Sequence, residues 1–485
     1  MGQLSRRTFL QSAALASAQS PAAPRMIGIQ IGAVSFLDEG VEPVLDILQQ
    51  KAAVNTLFVA TFTYGRGIAG RQVPGQPLPD HGKQEYDLDF RGGCFTRMRP
   101  EFYRDTVLKD VRSRDYGDYD VLEAVLPAAH RRGLKVFCWY EDVWRNDVPG
   151  IEKVQEVDLY GRRGSRTCLN NPDHRAFLAA IAEDWTRSYP IDGIMWGSER
   201  HGALGLALGA SHGGRSSDPS RVGCFCTYCE RKARERGLDP ARAREGFRTL
   251  EQFVRAARSR QRPVDGYFVQ FLRILMRYPE ILAWEQLFHD SLRECYRLIY
   301  DRVKSARRSV LVGWHIWHNN SFSPFYRAQQ DLRQLVPCSD FLKIVMYHNC
   351  AGERMASYID SVQQHIFGDM SKQEALDFHY RVMNFAEGTY ERIPFTGFSA
   401  DYVFRETQRA LRAVEGTPTR IWPGIDIDIP TALEHSRSTP EGTRAAVLAA
   451  LRAGAHGVLL SRKYSEMRLA NLAAAGEAIR EFGAA

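Results

Sequence analysis

The sequence predicts an α/β fold, a (β/α)8 TIM barrel with long loop insertions on one face. Three observations carry this. Eight short apolar runs alternate with amphipathic helical stretches, the pattern of parallel strands covered on both faces. No glycine-rich dinucleotide or phosphate turn follows the first run, which argues against a doubly wound sheet. The later runs end in clusters of carboxylates, imidazoles and aromatic rings, as barrel strands do at their catalytic face.

The strands are expected at Met26–Ser35, Thr56–Thr63, Leu134–Tyr140, Gly193–Trp196, Val310–Trp317, Phe341–Tyr347, Arg420–Ile427 and Gly457–Ser461. Thr56–Thr63 is rich in β-branched and aromatic residues, which suit a pleated buried surface. Helices are expected at Val41–Gln50, Val121–Arg132 and Asp173–Ser188, and Arg468–Phe482 closes the ring. Asn171-Pro172-Asp173 and Thr439-Pro440-Glu441 read as helix starts, with proline in the first turn and acid at the positive dipole end. Arg132-Gly133 and Ala453-Gly454 read as glycine-terminated helices feeding strands. Three connections, at about 64–120, 200–285 and 349–402, are too long for simple barrel loops. All follow strands, so they lie on the catalytic face and build a cleft there. The second opens Gly/Ser-rich and turns basic around Arg231–Arg262, which reads as a solvated helical face.

The 485 residues are 44% hydrophobic and 25% charged, enough to bury a large core. Ser5-Arg6-Arg7-Thr8-Phe9-Leu10, a weakly apolar run and Ala16-Ser17-Ala18 match a twin-arginine export signal with its cleavage site. Residues 1–24 are therefore expected to be a signal peptide and short linker, residues 25–485 the catalytic barrel, and the mature protein periplasmic or secreted. The net charge of +7 falls to about +5 without Arg6 and Arg7. No Lys/Arg block dominates a segment, so no nucleic-acid partner is expected. No later run reaches the roughly 18 apolar residues of a membrane span.

Nine cysteines leave at least one outside any disulfide. Cys138, Cys168 and Cys295 sit singly in apolar stretches and read as small core residues. Cys224, Cys226 and Cys229 form a C-x-C-x2-C cluster. It reads as a structural staple: a zinc site completed by a fourth ligand such as His212, or a disulfide pair.

The strand tips carry the chemistry. Carboxylates among Trp, Tyr and His suit a saccharide, whose apolar faces stack on rings and whose hydroxyls bind acids and imidazoles. Two carboxylates flanking the scissile bond cleave glycosides. Glu199 is expected to be the general acid/base, its pKa raised by desolvation beside Trp196. Asp426 is expected to be nucleophile or base, with Glu141 and Asp142 in reserve. Trp139, Glu141, Trp196, Arg200, His318, Tyr347, His348, Asp428 and Lys463 are expected to bind substrate. No cofactor is required for that catalysis. The alternatives are a metal-dependent sugar isomerase, epimerase or lyase using His318 or His348, and a catalytically inactive carbohydrate-binding barrel.

Asp192-Gly193-Ile194-Met195-Trp196, the cysteine cluster, Tyr347-His348-Asn349 and Pro423-Gly424-Ile425-Asp426 together resemble exported barrel proteins classed as hypothetical glycosyl hydrolases, distant relatives of the α-amylase and α-fucosidase barrels. The resemblance implies a (β/α)8 fold acting on an oligosaccharide or glycoconjugate. Many such families place a nucleophilic Asp at the end of strand four through a D-G-I-x-x-D pattern. Here that position is Gly197, and the carboxylate is displaced to Glu199. The arrangement looks more like retaining barrels with the acid/base on strand four and the nucleophile on strand seven. Those usually carry Glu where this chain has Asp426. The expected activity is that of an exported glycoside hydrolase.

Overall fold

A computed structural model describes residues 25–431, 435 and 437–483; the export signal lies outside them. Eight parallel strands form the barrel: β1 Met26–Ile31, β2 Thr56–Thr63, β3 Lys135–Glu141, β4 Gly193–Gly197, β5 Leu311–Ile316, β6 Phe341–Met346, β7 Arg420–Asp426 and β8 Gly457–Ser461. Each pairs in parallel with the next. β8 pairs with β1 and closes the ring. The fold is the (β/α)8 barrel that the alternating pattern predicts, with strand ends differing by a few residues.

Eight helices matter for the site: α1 Val41–Ala52, α2 Val121–Arg131, α3 Pro172–Ser188, α4 Glu280–Ala306, α5 His348–Gln363, α6 Ala400–Ala413, α7 Pro440–Arg452 and α8 Leu469–Glu481. The sequence-predicted caps are present. Asn171 accepts from the Asp173 and His174 N–H groups at the start of α3, and Thr439 accepts from Gly442 N–H at the start of α7. Between β5 and β6 the chain forms the short helix Pro324–Gln329 and two 3-10 stretches, His318–Ser321 and Leu332–Cys338. The basic stretch after β4 is helical, and its guanidiniums pair with Glu230, Glu251 and Glu280. A small antiparallel hairpin, Gln155–Val157 with Arg163–Thr167, follows β3; the sequence reading missed it. No helix among the described residues is long and apolar enough to cross a membrane.

The barrel interior is plugged by aromatic rings. Phe58 and Phe137 lie 4.8 Å apart between centroids, and Phe341 and Trp422 lie 4.1 Å apart. Phe137 also contacts Phe341 at 5.7 Å. Glycines on the neighbouring strands make the room: a Cβ at Gly193 or Gly313 would overlap Phe137 or Phe341. Side chains alternate along a strand. The next inward residues above this plug are therefore Trp139 and then Glu141 on β3, His315 on β5, Lys343 on β6, and Gly424 and then Asp426 on β7. That layer is the floor of the barrel mouth. Phe137→Ala should lower the free energy of unfolding by about 3–5 kcal/mol, read from the urea midpoint, because closed-ring packing leaves the plug little room to relax.

Candidate active site

Glu141 reaches from the end of β3 over the adjacent strand β4. Its carboxylate lies against Gly197 of β4, where any Cβ would overlap Oε2. The Trp139 indole donates to the same Oε2 at 2.9 Å. Glu141 is 4% exposed. Burial, then repulsion from Glu199, pushes its carboxyl up to about 8, so it carries a proton at neutral pH. Gly197, read from sequence as a missing strand-four acid, is the space that a strand-three acid occupies.

Glu199 lies two residues beyond β4, with 39% of its side chain exposed. Its Oε1 is 3.1 Å from His315 Nε2. Burial opposes the charge on Glu199. The hydrogen bond from His315 and the cationic surroundings, Arg354 among them, outweigh burial and draw Glu199 down to about 2. The direction is opposite to the sequence expectation, and the reason is geometric. Trp196 points out of the ring, packed against Tyr296 at 5.3 Å and Trp314 at 6.3 Å, so it neither desolvates Glu199 nor offers a face to substrate.

Three groups that the sequence reading left out complete the mouth. Burial, then the nearby Lys343 charge, draws His315 down to about 4. Lys343 Nζ lies 3.2 Å from His315 Nδ1 and donates to Tyr347 Oη at 2.6 Å. Burial lowers this amine to about 7 against the pull of Glu199 and Glu141. Arg354, on α5, lies 5.7 Å from the Tyr347 ring. On the loop after β4, His212 lies 5.7 Å from Trp317. His212 Nδ1 and Trp317 Nε1 are buried without a partner among the described residues, so each has hydrogen-bonding capacity to offer a ligand.

The other predicted residues mostly hold loops. Asp426 is fully buried and accepts from Cys350 N–H at 3.1 Å, Ile429 N–H at 2.9 Å and Ser438 Oγ at 3.3 Å. Burial raises it to about 7. It ties the start of α5 to the strand-seven loop. Asp428 pairs with Arg468 at 2.7 Å. Lys463 donates to the Gly70 and Arg71 carbonyls at 2.9 and 3.1 Å. Arg200 is buried and paired with Asp142 at 2.5 Å, and it donates to Thr167 Oγ1 at 2.8 Å; it faces the hairpin behind the mouth rather than a ligand. Trp139 is buried and serves Glu141. The ring nitrogens of His318 contact Tyr402 Oη and Arg354 Nη1 at 3.1 and 3.0 Å, which removes it from the metal-ligand role considered for it. Burial lowers His348 to about 4, and its Nδ1 lacks a partner.

Cys224, Cys226 and Cys229 are joined by Cys168, with all four Sγ atoms within 4.8 Å of one another. Cys168, read as a lone core residue, takes the fourth place given to His212. It brings the end of the strand-three hairpin to the strand-four loop. Cys168 Sγ lies 3.4 Å from Cys226 Sγ and 3.5 Å from Cys229 Sγ. The sulfurs receive N–H groups from Val157, Asn170 and the Asn170 side chain at 3.3–3.4 Å. A tetrahedral zinc with Zn–S bonds of about 2.3 Å has sulfur–sulfur edges of about 3.8 Å, so the cluster is of a size to hold a metal.

No protein-family model matches the chain, and comparison with curated proteins finds no match. Solved structures do. The β-galactosidase from the Antarctic haloarchaeon Halorubrum lacusprofundi aligns with a TM-score of 0.53 at 14% identity, over 94% of this chain and 58% of that one. The α-L-fucosidase isoenzyme 2 from Paenibacillus thiaminolyticus aligns at 0.46 and 13%, over 94% and 49%. The PgaB (BpsB) glycoside hydrolase domain from Bordetella bronchiseptica aligns at 0.47 and 13%, over 95% and 98%. The chain thus spans about half the length of the fucosidase. The galactosidase likeness is one of fold, a shared TIM barrel.

Glu141 yields a stability prediction. Its carboxyl shifts from 4.5 to about 8 on folding. The folded chain therefore holds more protons than the unfolded chain between those values, and stability falls as pH rises through that window. Glu141→Gln should remove this component, so its unfolding free energy relative to wild type should improve from about pH 4.5 to about pH 8 in urea titrations.

Proposed function

We propose that the protein is a glycoside hydrolase in which Glu141 is the general acid and Glu199 its anionic partner. One observation carries this reading: two neighbouring carboxyl groups in one barrel mouth have proton affinities driven in opposite directions. Such a pair supplies a proton and a charge at the same pH. Glu141 donates its proton to the glycosidic oxygen as the bond to the anomeric carbon breaks. Glu199 supports the developing positive charge, as nucleophile or as base toward water. Trp317, His212 and Arg354 offer hydrogen-bonding groups for sugar hydroxyls, which suits an oligosaccharide or glycoconjugate. The haloarchaeal protein with the similar barrel is named a β-galactosidase, in keeping with a glycoside substrate. Asp426, its oxygens engaged by backbone, has the weaker claim to the second carboxylate.

The roles separate experimentally. Glu141→Gln and Glu199→Gln should each lower kcat on natural glycosides by roughly a hundredfold or more. An activated aryl leaving group needs no proton, so it should restore turnover to the Glu141 variant and leave the Glu199 variant slow; the reverse result would exchange their roles. In wild type, kcat/KM should fall as pH rises through about 8, where Glu141 loses its proton, and again at acid pH as Glu199 gains one.

We also infer that the four cysteines bind one structural zinc and that Arg6 and Arg7 direct export. The inward N–H groups and four convergent sulfurs support the first, because thiolates need such donors and a shared cation. Metal analysis should find one zinc per chain, and stripping it should lower Tm; four thiols titratable without metal release would count against it. Arg6→Lys with Arg7→Lys should retain the precursor in the cytoplasm.

A further inference from the structure

Lys343 is out of place for a strand buried on both faces. It interrupts Phe-Leu-Lys-Ile-Val-Met and is fully buried. A buried ammonium is costly unless something compensates it, and an apolar side chain of similar length would fill the space more cheaply. The fold nonetheless makes room for it. A Cβ at Gly424 of β7 would overlap Lys343 Cε. Among the described residues its nitrogen is in no direct ion pair. The polar groups it touches are an imidazole and a phenol: His315 Nδ1 at 3.2 Å and Tyr347 Oη at 2.6 Å. Around that contact lie Glu141 from β3, Glu199 beyond β4 and Arg354 from α5, all within electrostatic reach.

The direction of the hydrogen bonds follows from donor chemistry. A lysine ammonium has three donors and no acceptor. While Lys343 is protonated, the form that Glu199 and Glu141 favour, His315 Nδ1 accepts from it, and a neutral imidazole that accepts at Nδ1 carries its hydrogen on Nε2. That nitrogen is the one 3.1 Å from Glu199. With the opposite tautomer a bare Nε2 lone pair would face the carboxylate, and Glu199 would lose a donor and gain a proton.

We propose that Lys343 is a positioning residue for the carboxylate pair: through Nδ1 of His315 it holds the imidazole with its Nε2 hydrogen aimed at Glu199, keeping that carboxylate oriented and charged. The proposal rests on the reading of Glu199 as the anionic partner. Lys343 does not touch substrate; it acts through His315. Tyr347 holds the amine from the other side.

Two measurements test it. The first does not depend on activity: the ring ¹⁵N shifts of His315, assigned with a His315→Gln control, should show Nε2 protonated and Nδ1 an acceptor at neutral pH. Lys343→Met should mix or reverse that tautomer. A wild-type Nδ1–H form, or a tautomer indifferent to Lys343→Met, overturns the proposal whether or not the protein cleaves glycosides. The second is kinetic. Lys343→Met should lower kcat by roughly 10- to 100-fold, with KM little changed and the acid limb of kcat/KM moved to higher pH. Lys343→Arg, which keeps a donor, should recover part of the loss. An unchanged pH profile in a folded Lys343→Met protein also overturns it. If the tautomer behaves as stated but no glycoside is cleaved, the positioning role stands and the functional reading fails.

Discussion

Two carboxyl groups share one poorly hydrated barrel mouth, and they cannot both be charged cheaply. Coulomb repulsion grows as the local dielectric falls, so the pair must divide into one acid and one anion. The structure sets which is which by unequal surroundings. Glu141 is buried and, among the described residues, has a single indole donor, while Glu199 is partly exposed and has an imidazole donor and a guanidinium nearby. Remove the asymmetry and the pair has no fixed assignment of acid and base. It depends in turn on Gly197, because only a residue without a side chain lets Glu141 lie across β4.

The same asymmetry requires that other charges be kept away. Arg200 follows Glu199 directly in sequence and is fully buried. If its guanidinium turned into the mouth, it would stabilise the charged form of Glu141 and abolish a proton donor. It is held behind the mouth by Asp142, Glu156 and Thr167. Thr167 precedes Cys168, one of the four clustered sulfurs. The cysteine staple therefore bears on the site through a short route. It fixes the hairpin, the hairpin holds Arg200, and Arg200 stays out of the electrostatics of the pair.

The barrel was legible because strands buried on both faces must be short, apolar and unbroken, and eight such runs stand out even without periodicity. Glu199 was legible for a similar reason: a carboxylate just past an apolar strand has few places to go. The partner we propose for it, Glu141, was named only in reserve. Glu141 and Asp426 both end strands, both face inward, and both are buried. What separates them is that Asp426 is absorbed by the N–H groups of Cys350 and Ile429, and Cys350 is far from it along the chain. Aromatic residues at strand tips misled for a related reason. Trp196 and Trp139 are one register apart in facing, and neither reaches solvent, so counting rings near a tip says little about which ones meet a ligand. Strand parity would have found more: once Gly313 is inward, His315 is inward too, and His318 beyond the strand is not bound by that rule. The lone lysine in β6 was the other available signal, since a charge in a doubly buried strand needs a reason.

Two glycines and two reaching side chains explain how an ordinary barrel becomes asymmetric at its top. At 197 and 424 the strands give up their own inward side chains, and Glu141 and Lys343 extend from neighbouring strands into the space. Each carries an ionisable head over the adjacent strand at the end of a long stem. Opposite charges placed this way would simply neutralise each other if they met. Here the amine contacts His315 and Tyr347 instead, and His315 passes its influence to Glu199. The imidazole between them hands the effect of the lysine on to Glu199 by hydrogen bonds, while Glu141 feels the same amine only through space.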